Sequence, residues 1–120
     1  MVENQNIQIW IDDGIVHGIY KKNCVVTHET AKEMVELRLQ LQAGKLYPCI
    51  VYLLEGNGIY RPDGRKYMAK QGYEGMTKLA IITTSPAKTV IANIYIAIDK
   101  PVKPTRLFTN KESALKWLKQ

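Results

Sequence analysis

The sequence predicts an α/β fold with a mixed sheet, an antiparallel hairpin at its N-terminal edge and about four helices, on three observations. Ile7, Ile9 and Ile11 alternate with polar Gln8 and Asp12, and a second such run, residues 15–21, follows directly after Asp13-Gly14, a pair that accepts the positive φ of a tight hairpin turn. Residues 46–54 (LYPCIVYLL) are apolar without alternation, as in a central strand covered on both faces. Residues 78–120 then run apolar strand, Ser-Pro helix start, apolar helix, short strand and last helix.

Length and composition bound what this fold can be. A chain of 120 residues with 46% hydrophobic content is expected to form one domain over residues 1–120, burying roughly two thirds of its unfolded surface. Cys24 and Cys49 have no CxxC pairing and no histidine at ligand spacing, so buried free thiols are expected, with no metal site, disulfide framework or cofactor. The start MVENQNIQIW has neither a basic nor an apolar leader region, and no apolar run reaches the ~20 residues of a membrane span, so a cytoplasmic location is the default expectation. Net charge is +6, and residues 100–120 hold six cations (Lys100, Lys103, Arg106, Lys111, Lys116, Lys119) against Glu112 alone. Without aromatic or glycine-rich motifs beside them these cations read as a solvated face, and no specific nucleic acid is expected.

The individual elements follow from local chemistry. His17 shares a strand face with Ile15 and Ile19 and reads as a structural histidine. Thr27 caps a helix running from His28 to about Ala43, with Glu29 favourable to its dipole and Gly44 as the stop. Ala31, Met34, Val35, Leu37, Leu39 and Leu41 form its apolar arc, and Arg38 falls inside that arc. Either the Arg38 stem lies over the core edge with its guanidinium in water, or it pairs with a buried carboxylate or a ligand anion. Gly56, Asn57 and Gly58 form a loop before a short helix begun by Pro62 and Asp63, cationic through Arg61, Arg65, Lys66 and Lys70 and weakened by Gly64 in its first turn. Ser85-Pro86 starts the next helix, in which Val90, Ile91, Ile94, Tyr95 and Ile98 recur at helical spacing. Thr109 and Glu112 have capping-box spacing for the last helix, where Trp117 reads as a packing anchor.

This order, with IITTSPA at residues 81–87 and LFTNKESALKWL at residues 107–118, resembles the STAS fold of bacterial anti-sigma-factor antagonists and of sulfate-type transporter tails, and more closely the STAS-like proteins of unassigned role. The resemblance implies a protein that binds a partner and performs no chemistry. In the antagonists a serine kinase phosphorylates a serine or threonine where the helix after the central strand begins. The matching positions here are Arg61, Pro62, Asp63 and Gly64: the glycine agrees, and Asp63 stands where the phosphoacceptor should be. The resemblance therefore implies no phosphoserine switch at this site, with Asp63 acting either as a permanent charge mimic or only as a favourable helix-start residue.

Two functional readings follow. The first is a non-catalytic regulatory domain that binds a protein partner through Asn57, Gly58, Arg61, Asp63, Gly64, Arg65, Lys66 and Lys70, a homodimer being compatible with it. The second, from the resemblance of related STAS-like domains to lipid-binding modules, is a small-ligand or lipid site with Arg38, Ile91 and Tyr95 at an apolar cavity. An enzyme is not expected, because no serine or cysteine has a histidine at a supporting spacing, and the Gly56–Gly58 pair lacks the lysine and hydroxyl residue of a phosphate loop.

Overall fold

The computed structural model describes residues 1–120. The elements, in chain order, are β1 (Val2–Glu3), β2 (Ile7–Asp12), β3 (Ile15–Tyr20), β4 (Val25–Val26), α1 (His28–Gln42), β5 (Tyr47–Tyr52), β6 (Ile59–Tyr60) and α2 (Pro62–Lys70). After a 3-10 turn at Gln71–Tyr73 come β7 (Met76–Ile82), α3 (Pro86–Ile94), a π-helical turn (Tyr95–Asp99), β8 (Thr105–Phe108) and α4 (Lys111–Leu118). Six strands form one sheet in the order β1-β2-β3-β5-β7-β8, and β4 with β6 forms a separate parallel pair. Strands β1, β2 and β3 pair antiparallel, and β3, β5, β7 and β8 are mutually parallel. The expected mixed sheet with its N-terminal hairpin and four helices is thus present, and β5 lies inside the sheet between β3 and β7.

Turn and cap chemistry set the element ends. Asp13 (φ 52) and Gly14 (φ 72) both take the left-handed region, as a two-residue primed hairpin turn requires. Thr27 accepts from Thr30 N, and Thr30 Oγ1 accepts from Thr27 N, a reciprocal capping box for α1. At its other end Ala43 itself adopts the left-handed turn (φ 51) before Gly44, so the stop falls one residue earlier than the glycine suggests. Ser85 caps α3 by accepting from Lys88 N. For α4 the cap is Asn110, which accepts from Ser113 N; the Thr109–Glu112 box does not form, because the helix begins one residue later.

Each parallel crossover moves to the next strand in the same direction, and right-handed crossovers place α1, α2 and α3 together on one face of the sheet. The main core lies there, with Ile9, Val16, Met34, Cys49, Tyr73 and Ile81 among its buried members. Full burial of an aliphatic side chain of this size contributes about 1.5–3 kcal/mol. The opposite face carries a smaller cluster of Ile15, Ile50, Ala80, Ala114 and Leu118, closed by α4. Trp117, half-buried, joins that cluster's rim beside Phe108, ring centroids 5.7 Å apart, with Lys78 Nζ 4.6 Å from its own centroid. No helix is long and apolar enough to cross a membrane.

Candidate functional site

Between the sheet and its three helices lies an apolar cavity of about 120 Å³. Its floor is the inward side of β2, β3, β5 and β7, with Ile9, Val16, Val51 and Ile81, and its roof includes Met34 from α1, Met68 from α2, and Ile91 and Ala92 from α3. Gly18 occupies a floor position where every other strand residue offers a side chain. A Cβ built there would meet only Ile7 Cδ1, at 3.6 Å, an ordinary contact, so the missing side chain leaves part of the void. Arg38, Ile91 and Tyr95, the residues expected at such a cavity, all line it.

The polar groups at this cavity are mostly occupied. Arg38, only 6% exposed, hydrogen-bonds Gln42 Oε1 and donates from Nη2 to the carbonyls of Gly72 (2.9 Å) and Glu74 (2.8 Å). The guanidinium is thus not in water, as the first expectation for this arginine had it, and its protein partners are backbone carbonyls and an amide, not a carboxylate. Gln42 Nε2 donates to Lys45 O (2.8 Å) and Gly75 O (2.9 Å), so the two side chains satisfy carbonyls of the turn before β5 and of the segment leading into β7. Burial is the main force lowering the Arg38 pKa. Tyr60 is different: its hydroxyl is buried against Gly58 and has no hydrogen-bond partner. Burial raises the Tyr60 pKa well above that of a free phenol, so the group is a neutral donor.

The residues expected to present a partner-binding face are divided. Arg61, Asp63, Lys66 and Lys70 are exposed. Arg65 is not a free cation: its Nε pairs with Asp99 at 2.9 Å, the two side chains being 17% and 3% exposed, and its Nη1 donates to Tyr60 O. Gly64 is buried because α2 starts directly against β4, where an added Cβ would lie 2.2 Å from Val26 O. Asn57 donates to Tyr20 O (3.1 Å), and Gly58, itself buried, accepts from Lys88 Nζ (2.7 Å). Asp63 accepts from His28 N through Oδ2 (3.2 Å) and from Gly64 N through Oδ1 (2.9 Å), joining the starts of α1 and α2. A shallow polar groove beside it is lined by His28, Lys66, Lys70, Gln71 and Ile98.

No nucleophile meets a base. Cys24 and Cys49 are buried free thiols whose pKa values burial pushes up to about 11. His17 is one position out of step with Val16, the partner of Cys49, and therefore faces the other side of the sheet. There it shares a 3.0 Å hydrogen bond between Nδ1 and the Tyr52 hydroxyl. No cluster of His, Cys, Asp or Glu is arranged to hold a metal ion.

A family model for a domain of unknown function, DUF7793, matches residues 9–120. No curated protein matches the chain in sequence. Among solved structures, an uncharacterised protein of the DUF3478 family with a SpoIIAA-like fold, from Shewanella loihica PV-4, is similar with a TM-score of 0.62 at 18% identity, over 98% of each chain. A protein of unknown function from Arthrobacter sp. FB24 is 22% identical over 93% of this chain and 98% of that one, with a TM-score of 0.35. The first likeness establishes the fold as SpoIIAA-like, that is STAS-like, in agreement with the strand order and caps described above.

Proposed function

We propose that this chain, which belongs to the DUF7793 family and has a STAS-like fold, is a non-catalytic binding domain for a small apolar molecule seated between the sheet and helices α1 to α3. The observation that carries this reading is the void itself. Protein interiors pack like organic crystals with few voids larger than a water molecule, whereas about 120 Å³ of apolar-walled space persists here over a glycine floor. A dry apolar cavity of ~150 Å³ holds benzene, so the size supports a ligand of about one ring and is too small for a lipid chain.

The test is a melting and amide-shift titration with benzene, phenol and anisole against the wild type and Gly18→Ala. Wild type should bind saturably and melt higher, with shifts confined to residues around the cavity. Gly18→Ala should be about 0.4–1 kcal/mol more stable without ligand, since the strand conformation suits alanine and its Cβ meets no clash, and should bind more weakly. Absence of any saturable shift with all three compounds refutes the reading.

The polar groove favours a second reading, a protein partner with an acidic segment. Lys66 and Lys70 flank the groove, Arg61 is exposed at the start of α2, and Ile98, at 69% exposure, adds apolar contact. Replacing Arg61, Lys66 and Lys70 with glutamate should leave the melting temperature unchanged and abolish capture of such a partner; unchanged capture sinks it.

A further inference from the structure

The uncovered half of the sheet's second face carries an arrangement that neither reading uses. Helix α4 packs on β5, β7 and β8, leaving the β2–β3 side of that face without a helix. Trp10, His17 and Tyr52 stand there on neighbouring strands, Trp10 directly opposite His17 in the register. Their rings are nearly parallel, with interplanar angles of 11° for Trp10–His17, 4° for Trp10–Tyr52 and 11° for His17–Tyr52, and centroids 5.2, 6.3 and 6.0 Å apart. The His17–Tyr52 hydrogen bond fixes two of the three rings. Trp10 and Tyr52 are only half-buried.

Cations from the distant end of the sequence arrive at the same place. Lys111 Nζ lies 5.7 Å from the Tyr52 ring centroid, and Lys119 pairs with Asp13 at the β2–β3 turn, so α4 brings Lys111 to the aromatic group while Lys119 is held at the turn. The acidic groups nearby are Asp12, Asp13 and Glu112, of which Asp13 is already paired. Nothing in the order of residues signals this pairing, because the rings lie at positions 10, 17 and 52 and the cations at 111 and 119. Folding supplies the aromatics whose absence beside the basic C-terminal stretch argued against nucleic acid.

We propose that this face is a stacking platform for single-stranded nucleic acid, with bases laid on Trp10 and Tyr52 and a phosphate met by Lys111. Aromatic rings offer every base a π-face, and cations beside them track the backbone, a combination that binds single strands with little sequence preference. Rings already held parallel lose little entropy on binding. Duplex, whose bases are stacked inside the helix, cannot use the rings.

The test uses Trp117→Phe, which leaves Trp10 as the sole tryptophan, and an oligothymidylate of about eight nucleotides as probe. Trp10 emission should be quenched saturably, and Trp10→Ala and Tyr52→Ala, followed by anisotropy of a labelled probe, should each weaken binding roughly tenfold or more. Trp10→Phe, which keeps a ring, should bind nearly as wild type, and Tyr52→Leu serves if the alanine variants do not fold. Between ~50 and ~200 mM salt the affinity should fall, and Lys111→Glu should reduce the logarithmic salt slope by about 1. The proposal is overturned if duplex of the same length binds as tightly, if the ring variants bind unchanged, or if no saturable quenching occurs. It is overturned equally if Trp10 is quenched without oligonucleotide in a concentration-dependent way that Tyr52→Leu abolishes, which would make the face an interface between two copies.

Discussion

Glycine is the one residue type that, at position 64, lets α2 begin against the Val26 carbonyl, which also accepts from Arg61 N at 3.0 Å. His17 shares a strand face with Ile15 and packs against aromatic neighbours on β2 and β5. Burial chiefly, and the charge of Lys111 next, lower its pKa below the usual histidine value. The unfolded chain therefore binds more protons than the folded one just below pH ~6.5. The contribution is fully present above that value and is lost as the pH falls through it toward the lower folded pKa. Denaturant midpoints at pH ~7.5 and ~5.5 should show a drop for wild type that His17→Gln largely removes; an identical drop in the variant would assign the pH dependence to other groups.

At the scale of elements, the strands and helices were readable because hairpin turn, caps and hydrophobic runs are short-range signals. The polar faces were not. Helix α1 buries Arg38 and Gln42 at its C-terminal end and leaves Leu37, Leu39 and Leu41 only partly covered, since the segment leading into β7 presents carbonyls that these two side chains reach. Helix α2 was expected to display a row of cations, and one of them, Arg65, instead ties it to the π-helical turn after α3 through Asp99. Breaking a buried pair from one side leaves the other charge uncompensated. Asp99→Ala should thus cost about 3–5 kcal/mol, and the double replacement Arg65→Met with Asp99→Leu distinctly less. Equilibrium unfolding of the two variants decides it: equal losses for the single and the double change would show that the ion pair does not couple the two elements.

For the whole molecule, the strand order makes the two faces unlike: three helices roof a cavity on one, and a single short helix half-covers the other. The fold class was legible because crossover direction follows from the order of elements. The cavity was foreseen only through residues that line it, since a void is a sum of many side-chain volumes and of the one missing at Gly18. The two buried thiols turn this architecture into a measurement of motion. Cys24 borders the two-residue β4–β6 pair, its carbonyl accepting from Ile59 N at 2.9 Å, whereas Cys49 sits within the central strand β5. A thiol reagent can modify either only during an opening event, so alkylation rates report how often each region parts from its neighbours. Cys24 should react faster than Cys49, and a molecule filling the cavity should slow both. Cys49 reacting first would mean that the sheet itself breathes before its flap, and that entry to the interior runs along β5.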